Sequence, residues 1–155
     1  MSISALKIFL PFILFISLFE VNGQEFVNVE KNYANGLTKE RYHGVVVGID
    51  TTRKGSYSFY FENGRLMQEG FYTDNRPDSI WITYFPSGAR KSLFNYSRGL
   101  KSGGYIFWNY DGSIYQKGTN KSDKLDGLLI TYFPNGQATA ESNYQKGYLN
   151  GVSKV

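Results

Sequence analysis

The sequence predicts an all-β fold: one elongated, twisted antiparallel sheet laid down as a meander of hairpins. Three observations predict it. Gly64, Gly88, Gly112 and Gly136 follow one another at a constant step of 24 residues. Each closes a turn-like pair (Asn63-Gly64, Ser87-Gly88, Asp111-Gly112, Asn135-Gly136) behind a run rich in Tyr, Phe, Trp, Ile and Thr, the residues that favour strands. Beyond the first two dozen residues, no stretch keeps the 3.6-residue period of an amphipathic helix.

Residues 1–23 read as a leader outside the fold. Lys7 precedes an apolar run, Ile8 to Phe19, which is too short for a membrane span of about 20 residues but has the length of a signal-peptide core. Val21-Asn22-Gly23 offers small residues for cleavage, so Gln24 is the expected mature N-terminus. Lys7 and Glu20 cancel, and the net charge of +4 survives removal of the leader. The expected address is the periplasm, the outer envelope or the medium.

Residues 24–54 read as a degenerate repeat or cap. There Tyr33-Ala34-Asn35-Gly36 and Tyr42-His43-Gly44 echo the later blocks with broken spacing. Terminal units of repeat arrays are often atypical because one side of them meets solvent. Four repeats follow at 55–78, 79–102, 103–126 and 127–150, opening on Gly55, Ser79, Gly103 and Gly127. Residues 151–155 begin a fifth and stop.

A two-residue turn at Asn63-Gly64 fixes a register. It sets Tyr57 opposite Gly70, Gly55 opposite Tyr72 and Tyr105 opposite Gly118. It also sets Gly103 opposite Asn120, Leu129 opposite Ser142, Gly127 opposite Tyr144 and Trp81 opposite Phe94. Rings laid across bare backbone would account for the glycines without a ligand. Tyr57, Phe59, Phe61, Leu66 and Tyr72 then share a core face. Tyr60, Tyr84, Trp108 and Tyr132 point the other way.

Composition narrows the chemistry. The chain has 155 residues, no cysteine and one histidine, His43. Disulfides, thiol nucleophiles and multi-histidine metal sites are therefore excluded. His43 has Glu40 and Asp50 as acidic neighbours in sequence, and no G-x-S-x-G elbow accompanies it. The carboxylates Asp74, Asp78, Asp111, Asp123 and Asp126 sit in turns, where Asp bonds its own backbone. No catalytic residue, metal or cofactor is expected. The 17 Lys and Arg against 13 Asp and Glu are scattered as short pairs such as Arg53-Lys54 and Arg90-Lys91. Nucleic-acid binding would need a clustered basic face.

The blocks resemble bacterial variants of the MORN repeat. The likeness rests on the leading Gly, the aromatic two places on (Tyr57, Trp81, Tyr105), the pairs Tyr60-Phe61, Tyr84-Phe85 and Tyr132-Phe133, the turn glycines, and Tyr72, Tyr96 and Tyr144. It covers Gly55 to Gly151 and lapses at Ser79, Asn120 and Leu129. The resemblance implies a hairpin-meander sheet, each repeat adding roughly 10 Å. It also implies a non-catalytic scaffold or binding module for proteins or lipids. Some bacterial relatives carry an antitoxin-like label, so an inhibitor of one cognate protein is the alternative expectation.

The candidate binding residues are Tyr60, Tyr84, Trp108 and Tyr132, one per repeat. Aromatics with a polar tip serve as interface anchors. Their plainer role is to complete packing between hairpins. A protein partner is expected, with a glycan or anionic lipid surface as lesser options. The short strand begun at Gly151 to Val155 is an expected edge for self-association or peptide addition.

Overall fold

The computed structural model describes residues 14–21, 24–48, 50–151 and 153–154, and among these there are strands and turns but no helix. Thirteen strands form an open antiparallel sheet whose order follows the chain, with β10 paired only to β9. The chain divides into two compact units, Met1–Arg76 and Pro77–Val155. The first holds β1 (Leu14–Val21), β2 (Gln24–Asn32), β3 (Thr38–Val47), β4 (Asp50–Tyr60) and β5 (Leu66–Thr73). The second holds β6 (Arg76–Tyr84), β7 (Arg90–Ser97), β8 (Leu100–Trp108) and β9 (Ile114–Lys121), then β10 (Lys124–Leu125), β11 (Gly127–Tyr132), β12 (Ala138–Gln145) and β13 (Tyr148–Leu149). All the expected hairpin pairings are present: Tyr57–Gly70, Gly55–Tyr72, Trp81–Phe94, Tyr105–Gly118, Gly103–Asn120, Leu129–Ser142 and Gly127–Tyr144.

Two kinds of turn alternate, and the kinds differ from expectation. The loop at Asn63-Gly64 has three residues, not two. Phe61 N–H donates to Arg65 O at 2.8 Å, and Gly64 N–H donates to Phe61 O at 2.9 Å. Gly64 alone is left-handed, with φ 79°, so this is a type I turn followed by a left-handed glycine. Asn63 is present as an acceptor: its Oδ1 takes the N–H of Arg65 at 3.0 Å. The same closure recurs at Phe85, Asn109 and Phe133, and also at Tyr33, where the cap was read as degenerate. The extra loop residue is absorbed by a bulge that leaves Met67 unpaired between the pairs Phe59–Gln68 and Tyr60–Leu66. Bulge and loop cancel, which is why the expected register holds beyond them.

The two-residue turns lie at the other end of the strands. Asp74-Asn75, Arg98-Gly99, Ser122-Asp123 and Lys146-Gly147 all have positive φ at both residues, as type I′ turns require. Each is tied to the preceding hairpin. The N–H groups of Asn75, Gly99, Asp123 and Gly147 donate to the carbonyls of Arg53, Pro77, Lys101 and Leu125 at 2.7–3.0 Å. Asn75 and Asp123 add a second bond through Oδ1, each accepting a 2.8 Å bond from the N–H of Arg53 and Lys101 respectively.

A sheet of this kind has little interior. Only Val27, Val29, Val45, Trp81 and Tyr105 are buried apolar residues, and no side chain is more than 98% enclosed among the described residues. Rings and glycines substitute for a second layer. A Cβ placed on Gly118 would stand 2.7 Å from the Tyr105 ring, so the ring lies on bare backbone as anticipated. Gly55, Gly103 and Gly127 have a further reason to be glycine. Each has φ between 113° and 121°, a conformation that side chains resist.

The end of the expected leader forms β1, paired through eight residues with β2 from Leu14–Lys31 to Val21–Gln24. The rest of the leader through residue 13, and the expected cleavage pair Asn22-Gly23, lie outside the described residues. At the other terminus, Lys154 exchanges two backbone bonds with Glu141 on β12. Val152 and Val155 are outside the described residues.

Candidate functional site

Tyr60, Tyr84, Trp108 and Tyr132 each end a strand and sit opposite a bulge, half-buried. Two of them meet a cation of the neighbouring strand. The Arg41 guanidinium lies 5.9 Å from the Tyr60 ring, and the Lys117 ammonium 5.0 Å from the Tyr132 ring. The four turn glycines are left-handed, with φ between 79° and 94°, and their role is structural.

Lys117 leads from Tyr132 to a feature the sequence reading missed. The face of the second unit turned away from Trp81 and Tyr105 carries a shallow trough of about 370 Å³. Leu93, Ile106, Leu128 and Ile130 wall it, and Asn95, Lys117 and Thr119 supply polar groups. The cause is Gly104: a Cβ there would meet nothing nearer than Gly118 O at 4.0 Å. Asn95 Nδ2 caps the Gly104 carbonyl at 2.6 Å and stiffens the floor. Leu128 is 47% exposed and Ile80, on the same strand face, 51%. The column Ile82, Ile106 and Ile130 was visible in the repeat, with Ser58 in its place in the first block. It went unread because alternation along a strand does not say which apolar face stays uncovered.

In the first unit the unexpected feature is a charged cluster beside the aromatic residues. The buried Glu40 carboxylate takes Lys31 Nζ at 2.8 Å and Arg53 at 3.2 Å. The Arg53 guanidinium in turn lies among Tyr42, Tyr72 and Tyr57, at 4.8, 5.5 and 6.0 Å from their ring centres. Burial, and then the Glu40 charge, push the Tyr57 hydroxyl well above the ordinary tyrosine range. The cluster neutralises its own carboxylate, so its role is to hold β2, β3 and β4 together. Lys31 and Glu40 pair across the Tyr33 turn. Applying the register of the later turns to that loop would have found them.

His43 Nδ1 lies 3.1 Å from Ser56 Oγ, both side chains exposed on the face away from Glu40. No cluster of three His, Asp or Glu fit to hold a metal occurs among the described residues. Asp111 is held below the usual carboxylate range by the hydroxyl and the N–H of Ser113, which is turn chemistry. No protein-family model matches the chain, and no curated protein matches it.

Proposed function

We propose that the chain is an exported, non-catalytic scaffold of the bacterial MORN-like kind, and that it holds a partner protein against the trough face of its second unit. The observation that carries this reading is the uncovered aliphatic wall of Leu93, Ile106, Leu128 and Ile130 around Gly104. A single sheet leaves such a face in water unless something covers it, and contiguous exposed apolar surface marks interaction sites. Charge supports the same unit. Pro77–Val155 carries nine Lys and Arg against five Asp and Glu, whereas Met1–Arg76 carries eight of each. The whole net charge of +4 therefore sits with the trough, and the favoured partner presents an acidic surface with an aliphatic anchor. Export rests on the apolar run before Val21-Asn22-Gly23.

The test is cross-linked capture from the envelope fraction of the source organism with wild type, Leu128→Asp and Trp108→Ala. Loss of the same captured protein with Leu128→Asp, at unchanged melting temperature, supports the trough. A loss confined to Trp108→Ala, on the order of 1–3 kcal/mol, moves the site to the strand-end aromatics. Equal capture by all three overturns both.

A further inference from the structure

We propose that cleavage of the leader after Gly23 opens the edge of β2, and that this edge then takes up an extended strand of a partner protein in the place β1 occupies. The proposal rests on the leader reading above and not on the trough. In the sheet β2 has β3 on one side and β1 on the other. All eight residues of β1 pair with it, so cutting after Gly23 removes a complete ladder. What remains is an unusually inviting edge. Natural edges are blunted by proline, lysine or a bulge. Along the ladder from Gln24 to Lys31 there is no proline, Glu30 and Lys31 are already engaged by Arg41 and Glu40 of β3, and the irregularity in β2, at Lys31–Asn32, faces β3. Val27 and Val29 are 3% and 5% exposed with β1 in place, among the most enclosed residues of the chain. Phe26 stacks on Phe19 of β1 at 5.4 Å and 14°. Losing β1 removes the strand beside these apolar side chains, Val27 and Val29 on one face and Phe26 on the other, and frees a row of backbone donors and acceptors, the combination that β-augmentation uses.

The lost strand also specifies its replacement. β1 runs antiparallel, with Ile16 opposite Val29, Leu18 opposite Val27 and Phe19 opposite Phe26. The occupant is therefore an antiparallel segment reading aliphatic, any residue, aliphatic, aromatic. Main-chain bonds supply the affinity, and Val27, Val29 and Phe26 supply the selection.

The experiment uses the protein recovered from the exported fraction, its N-terminus read by sequencing. The probe is a fluorescent peptide of residues 14–21 with a solubilising lysine tail, and the control is the same peptide carrying Ser17→Pro, at a position whose backbone faces Asn28 of β2. The expected result is an N-terminus at Gln24 and saturable binding of the peptide, about tenfold weaker for the proline peptide because it loses a ladder bond. The unprocessed chain should leave the probe free. A folded protein that starts at Gln24 and ignores the peptide overturns the edge proposal. An exported protein that still carries residues 14–21 overturns the leader reading, and the edge proposal with it.

Discussion

The two units use the same strand plan and hold it together differently. In Met1–Arg76 the aromatic face encloses charge. Glu40 sits seven residues beyond Tyr33, the first residue of its turn, and draws in Lys31 and Arg53. Gln68, Ser92, Gln116 and Ala140 stand at the same distance from the later turns. In Pro77–Val155 that column is neutral, and the face is filled by rings instead. Phe94 stacks on Tyr105 at 5.4 Å, and Phe107 meets both edge-on. Trp81 meets Tyr96 at 6.2 Å. Lys101, two repeats on from Arg53, finds the Phe94 ring at 4.4 Å instead of a carboxylate. The opposite faces differ too. The first unit has Glu30, Arg41 and His43 there, with Arg41 bonded to Glu30 at 2.8 Å, while the second has the aliphatic trough. One repeat geometry thus tolerates either an ionic or an aromatic filling. What it requires is that each face position have a partner across the strand pair.

The sharpest break of this contrast is Trp81→Ala. It empties the ring cluster of the second unit and should cost about 3–5 kcal/mol, read as a lowered midpoint in urea. Amide exchange should accelerate most in β6 to β8. A uniform rise across both units would show that the fillings are not local. Glu40→Ala is the matching cut in the first unit. It leaves Lys31 and Arg53 facing each other with no carboxylate, and should cost about 2–4 kcal/mol, less than a fully buried pair because both cations are partly exposed. Glu40→Gln keeps the shape and should cost less than Glu40→Ala. If the two variants are equal, the charge contributes nothing.

Alkali probes both units together. Burial raises the Tyr57 and Tyr105 hydroxyls above the ordinary tyrosine range. A group raised in the folded state contributes stability that is complete below its unfolded value, about 10, and is lost as pH climbs towards the folded one. The melting temperature should hold from pH 7 to 9 and fall by roughly 5 °C by pH 11. Tyr57→Phe should flatten part of that fall, and an unaltered slope would remove Tyr57 from the account. The smallest effect concerns the opening residue of each repeat. Ser79 has φ 60° where Gly55, Gly103 and Gly127 stand in the others. Ser79→Gly should stabilise by about 0.5–1 kcal/mol through relief of that strain. A lower melting temperature would mean that the Ser79 N–H bond to Asp78, at 2.8 Å, depends on the serine conformation.

Much of the fold was legible because a fixed step in the sequence becomes a fixed pairing in space. Tyr105 could be set against Gly118 from the turn glycine alone, and the structure places the ring there. The turn itself was misread for a local reason. Asn-Gly serves a two-residue turn through positive φ and a three-residue turn through an Asn side-chain acceptor, and the strand residues on either side suit both. The I′ type of the other turns went unread for the converse reason: Ser122-Asp123 and Arg98-Gly99 lack the Asn-Gly signature. Of the candidate site, the four strand-end aromatics were readable from position. The trough was not, since it exists only where Gly104 lies beside Leu93 and Thr119 of the neighbouring strands.

From Gly55 to Asn150 the sequence by itself determined the hairpin strands, their antiparallel order and their register, because side-chain alternation and turn spacing are properties of consecutive residues; it did not disclose β1. Only the tertiary structure decided what fills each face. Whether a column becomes the Glu40–Arg53 ion cluster, the Phe94–Tyr105 ring packing or an open trough depends on residues brought together from neighbouring strands. Their mutual burial sets the strength of every charge and contact, and that burial has no counterpart along the chain.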